Sequence, residues 1–187
     1  MKKLIKVLTE KENLLIAEIG AKLRFDIIVN YTINGIEKNC LCKCLMEDAV
    51  TKDWLVFIDV DEDEHIDKVK IDNVKPLLFP MSMLNESFTI DGEAYEKPLD
   101  ILIEYLNHKG YGWVFSRKKF NMEFADNLWI YNLKDYECVP VCMMLDIITW
   151  LDSHHFDCRG LIDKGFAIPI QYKNNVYKDI KKEIFVK

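Results

Sequence analysis

No apolar run in this 187-residue chain approaches the roughly 18 residues that a membrane-spanning helix needs. The opening Met-Lys-Lys-Leu-Ile-Lys-Val-Leu puts charge before apolar residues. Lys6 interrupts that stretch, however, and Thr9-Glu10-Lys11-Glu12 ends it, too early for the apolar core of a secretion signal. A soluble, cytoplasmic protein without membrane contact is therefore expected. Basic charge is also short: 25 Lys and Arg stand against 31 Asp and Glu, a formal net charge of -6. A general phosphate-binding surface needs clustered cations, so no general nucleic-acid binding is expected. Arg117-Lys118-Lys119 and the looser set from Lys173 to Lys187 read as solvated surface. Glycine-rich phosphate loops, His-Glu-x-x-His helices and Gly-x-Ser-x-Gly elbows are missing too, which leaves no cofactor fingerprint. What the chain does have is core material. With 50% hydrophobic and 12% aromatic residues it can fill one domain or two small ones, and global disorder is excluded.

Six cysteines without a secretion signal point to reduced, structural thiols. Cys40, Cys42 and Cys44 alternate along an expected strand and so share one face. Zinc takes ligands from turns with two or more intervening residues, and no matching second pair follows. Cys138 and Cys142, flanking Val-Pro-Val at a helix entry, do not have zinc-knuckle spacing either.

The pattern along the chain is that of an α+β protein: an N-terminal helix with a small antiparallel sheet or open barrel, then a C-terminal α/β module of two helices and short strands. Thr9 and Glu12 have capping-box spacing ahead of a helix through Leu14, Leu15, Ala17, Ile19 and Leu23. From Arg24 the period becomes two. Ile27 to Ile33 and Ile36 to Met46 flank an Asn34-Gly35 hairpin turn, and Trp54 to Val60 is a third strand. Val69 to Pro76 reads as a fourth. The acidic run from Asp59 to Asp67 is not an EF-hand, because Glu64 and Lys70 occupy the places of the required glycine and glutamate. The expected modules are residues 1–84 and 97–187, joined by a turn-rich linker at 85–96. Beyond the linker come a helix from Pro98 with a buried stripe of Leu99, Leu102, Ile103 and Leu106, a stop at Gly110, and strands at Trp113–Phe115 and Leu128–Tyr131. A second helix from near Pro140 to Asp152 and a terminal strand at Ala167–Ile170 complete the pattern. Ile103–Asn107 faintly echoes Ile148–Asp152, a hint of paired helix-then-strand units that coincidence explains as well.

Half of the four histidines stand together in Trp150-Leu151-Asp152-Ser153-His154-His155-Phe156-Asp157-Cys158-Arg159-Gly160. Adjacent histidines diverge by about 100° on a helix and point oppositely on a strand, so both reach one metal only from a turn. His154, His155 and Asp157 are the candidate ligands, with His108 as a fourth and Asp157 alternatively orienting a ring. Cys158 is a candidate nucleophile with either histidine as its base. The competing reading is a helix terminus, where imidazoles meet the last carbonyls, Phe156 anchors the core and Asp157 pairs with Arg159. On that reading the histidines lie at an exposed helix end, and replacing either costs about 1 kcal/mol or less.

The same segment, continuing through Leu161-Ile162-Asp163-Lys164-Gly165-Phe166-Ala167-Ile168, resembles Trp-Leu-x-x-His-His-Phe-Asp-Tyr-Arg-Gly-Leu-Ile-x-Lys-Gly-Leu-Ala-Ile of a family of small proteins from Bacteroidales phages and prophages. Leu15–Leu23 resembles that family's opening helix, and Val74–Met83 resembles its Val-Lys-Pro-Tyr-Leu-Arg-Pro-Leu-Ser-Ser-Met. Leu77, Phe79 and Cys158 replace a tyrosine, an arginine and a tyrosine of the pattern. The resemblance implies a phage or mobile-element origin and brings no activity with it. An accessory protein acting as a non-enzymatic protein-interaction module, with a host or phage protein as partner, is the leading expectation. A metal-dependent hydrolase using His154, His155 and Asp157, and an acidic nucleic-acid mimic that inhibits a host enzyme, are the alternatives. If the thiol reading holds, titration of denatured protein without reductant finds all six cysteines free; a reproducible disulfide overturns it.

Overall fold

Thr9 starts the first helix through a reciprocal pair of bonds. Its hydroxyl accepts from the Glu12 N–H at 3.1 Å, and the Glu12 carboxylate accepts from the Thr9 N–H at 2.7 Å. Two otherwise orphaned amides are satisfied, so Glu12 can be buried at the helix entrance. Helix α1 (Glu10–Lys22) follows in the computed structural model, which describes residues 7–33, 35–59, 66–90, 93–95, 97–111, 120–125, 128–133 and 141–170. A short 3-10 turn, Leu23–Phe25, and left-handed Asp26 then redirect the chain into the sheet.

The protein is α+β, and the chain forms two compact units. One comprises the chain up to Leu78 together with Leu161–Ile170; the other contains Phe79–Gly160. In the first, β1 (Ile28–Ile33), β2 (Ile36–Glu47), β3 (Trp54–Asp59) and β4 (Ile66–Lys70) form an antiparallel meander. A 3-10 corner at Ile71–Asn73 turns the chain into β5 (Val74–Leu78), which pairs antiparallel with β1. The expected fourth strand is therefore two strands, parted by a corner at which Ile71 is buried in the core.

Sheet order is β10-β5-β1-β2-β3-β4, where β10 is the pair Ile168–Pro169. The sheet is open and mixed: β10 runs parallel to β5, and the Ile170 N–H adds a 2.9 Å bond to the Leu78 carbonyl. The terminal strand expected for the C-terminal module thus belongs to the N-terminal sheet. Parallel pairing needs a long crossover, and here the second unit's chain supplies it. Pro169 is tolerated because an edge position asks for no outward N–H. At the opposite edge, exposed Lys68 and Lys70 discourage further strand addition.

The core of this unit follows the period-two and helical patterns. Val29, Tyr31, Cys40, Cys42, Val56 and Ile58 face Leu15 and Ile19 of α1, with Leu161 and Ala167 completing the cluster. The inward alternation of the three strand cysteines stops after Cys42. A bulge between Cys42 and Cys44 shifts the register, so Leu45 packs on the core and Cys44 lies only partly buried. Burial pushes the Cys42 thiol up to about 12, the behaviour of an inert apolar side chain. Lys22 and Glu18 form a fully buried ion pair one helical turn apart, at 2.5 Å. Such a pair adds little net stability, but removing one partner strands the other's charge.

The second unit begins with a 3-10 turn, Met81–Asn85, and the hairpin β6 (Phe88–Ile90) and β7 (Glu93–Tyr95). That hairpin occupies part of the segment read as a linker. Helix α2 (Pro98–Leu106) starts with proline in its first turn, where no intrahelical N–H is lost. It buries Leu102 and Leu106, leaves Leu99 and Ile103 half-buried, and packs against helix α3 (Val141–Ser153) and the 3-10 turn. A wide turn over Asn107–Tyr111, with Gly110 at φ 90°, ends α2. The hairpin of β8 (Phe120–Ala125) and β9 (Leu128–Leu133) precedes α3. Among the described residues, no helix is long and apolar enough to cross a membrane. The expected strand at 113–115, the basic cluster at 117–119, most of the acidic run from Asp59 to Asp67, Cys138, and the lysines from 173 onward lie outside the described residues.

The contribution of residues 161–170 to the N-terminal sheet is directly testable. Leu161 has 0% exposure within that core, so Leu161→Ala should cost roughly 2–5 kcal/mol in urea unfolding. Amides of β1, β2 and β5 should lose hydrogen-exchange protection together. A cost below about 1 kcal/mol, with protection retained, would show that the segment is dispensable to this unit.

Candidate functional site at the end of helix α3

Helix α3 ends in a left-handed residue, and that residue is His155, at φ 57°. The His155 N–H donates to the Asp152 carbonyl at 3.2 Å, and the Phe156 N–H reaches back to the Leu151 carbonyl at 3.0 Å. These two bonds are the Schellman ending of a helix, usually made with glycine at the left-handed position. Histidine enters that region more readily than most side chains, but still at a cost. The chain then meets Phe79 on both sides: the His155 carbonyl accepts from the Phe79 N–H, and the Asp157 N–H donates to the Phe79 carbonyl, each at 2.9 Å. Phe156 sits between them as a one-residue parallel bridge, fully buried, with its ring 5.8 Å from Phe79 and 6.1 Å from Trp150.

His155 is 2% exposed. The expectation of an exposed helix end therefore fails for this residue, because the left-handed turn directs the chain inward. His154 is treated differently by the same turn. Its ring lies flat on Trp150, centroids 3.8 Å apart at 19°, and its Nδ1 is 2.7 Å from the Trp150 carbonyl and 2.9 Å from the Ser153 hydroxyl. A carbonyl can only accept, so that contact assigns the Nδ1 proton. Ser153 in turn donates to the same carbonyl at 2.7 Å. Burial pushes the His154 imidazole down to about 4, and the Trp150 carbonyl opposes that shift only in part.

Arg159 makes a two-pronged ion pair with Asp152, Nη1 to Oδ1 at 2.9 Å and Nη2 to Oδ2 at 3.3 Å. Helix α3 thus supplies the partner of this arginine, where the sequence pointed to Asp157. Cys158 lies beside the pair. Its thiol is 3.5 Å from Asp152 Oδ1 as donor and 3.2 Å from Arg159 Nη1 as acceptor. Asp157 is buried. His108 is mostly exposed on the turn after α2, 3.9 Å from Glu104. Among the described residues, no group of three or more potential ligand atoms within 4.8 Å of one another contains His108, His154, His155 or Asp157.

The turn therefore joins His154 to Trp150 and Ser153, and Cys158 to Asp152 and Arg159. Trp150, Asp152 and Ser153 were not among the sequence candidates, although Trp150 and His154 have the i, i+4 spacing that brings side chains together on a helix. No protein-family model, curated protein or solved structure matches the chain.

Two measurements probe this arrangement. His154 has a folded value near 4 against an ordinary 6.5, so the unfolded chain binds the extra proton first. Its contribution is complete above about pH 6.5 and falls away between there and pH 4, by up to roughly 3 kcal/mol. His154→Phe keeps a ring on Trp150 without a titrating nitrogen, so its stability should vary less across that window. An unchanged pH profile would count against the assignment. At the next position, His155→Gly and His155→Val both remove the imidazole, but only valine meets the left-handed penalty. The valine variant should be less stable than the glycine variant by at least about 1–2 kcal/mol. Equal melting temperatures would mean the left-handed geometry is not maintained.

Proposed function

We propose that this chain is a non-enzymatic protein-interaction module, an accessory protein of phage or mobile-element origin acting in the cytoplasm of a bacterial host. The observation that supports this reading is the use made of the His-His-x-Asp turn. His155 closes a helix with its backbone, the backbone of Asp157 holds Phe79, and the His154 ring is stacked on Trp150 and bonded to a carbonyl. Asp152 and Arg159 neutralise each other beside Cys158. Groups engaged in this way anchor a chain reversal, and a hydrolytic site would need histidine nitrogens directed together at a metal or at a reacting water. The origin rests on the resemblance of the turn segment, the opening helix and Val74–Met83 to Bacteroidales phage proteins. The proposed partner is a protein of the host or the phage.

The test compares the wild-type protein with His154→Ala. In-cell cross-linking should yield a complex with one protein that re-forms from purified components at fixed stoichiometry and survives the substitution. Calorimetric titration of chelator-free protein with Zn²⁺ should show no saturable site that depends on His154. Zinc held near stoichiometry by the wild type and lost in a folded His154→Ala variant would replace this reading with the metal-dependent hydrolase.

A further inference from the structure

We draw no further inference here: the strongest candidate, the outward apolar stripe of Cys142, Leu145 and Ile148 on helix α3, carries nothing because nothing in the structure shows what covers it.

Discussion

The left-handed conformation of His155 is the constraint on which the histidine turn depends. With φ at 57°, the chain leaves α3 folded back on its last turn, and the Leu151 and Asp152 carbonyls are satisfied by the two amides that follow. The reversal also sets Phe156 beside Phe79, so that both main-chain groups of Phe79 are used. A buried backbone group without a partner costs about as much as a lost hydrogen bond, and this arrangement avoids that cost for both segments. The two adjacent imidazoles are separated by the same geometry: His154 directly follows the last residue of α3 and keeps its ring over Trp150, while His155 is the left-handed residue of the turn. The backbone conformation, more than the side-chain chemistry, decides what each histidine does.

A comparable economy operates in the unit built around the sheet. The capping box lets α1 begin with a buried glutamate, and the Glu18–Lys22 pair lets the same helix carry opposite charges at 0% exposure further along. At its surface, Lys11 donates to the Asp72 carbonyl at the corner before β5, and Lys164 reaches Glu10 at 2.6 Å. The Lys164 ammonium holds the Glu10 carboxyl below its ordinary range. Exposed pairs of this sort contribute little to stability. The apolar cluster that joins α1, the strands and Leu161 supplies the driving force, and the polar contacts determine which arrangement of it is satisfied.

Much of the local structure was legible. Thr9 and Glu12 announced α1, the alternation from Ile27 announced β1 to β3, Pro98 announced α2, and the apolar spacing of Met143, Ile147 and Leu151 announced α3. Each depends on neighbours within a few residues. Less legible were the bulge after Cys42, which breaks a period the residues themselves would sustain, and the corner at Ile71–Asn73, which divides an apparently single strand. The short β6–β7 hairpin was hidden in a segment whose turn residues suggested only a linker. In the candidate site, the segment was found from its composition and the helix-terminus reading from the position of its histidines. The roles of Trp150, Asp152 and Ser153 were not found, because their contacts depend on the path the chain takes after the helix.

By itself, then, the sequence determined the α+β class, the three helices, the early strands and the place along the chain where the chemically capable residues gather. Hydrophobic period, capping residues and turn residues act over short separations, and they can be read without knowing what lies across the core. Only the tertiary structure decided that Ile168 and Pro169 extend the sheet begun by Ile28–Ile33, that Asp152 pairs with Arg159, and that His155 is buried in a left-handed turn. Those outcomes turn on which distant strand edge or main-chain group is available to be satisfied. The physical reason is that backbone hydrogen bonding is indifferent to side-chain identity, so the identity of the partner is settled by the packing of the whole unit.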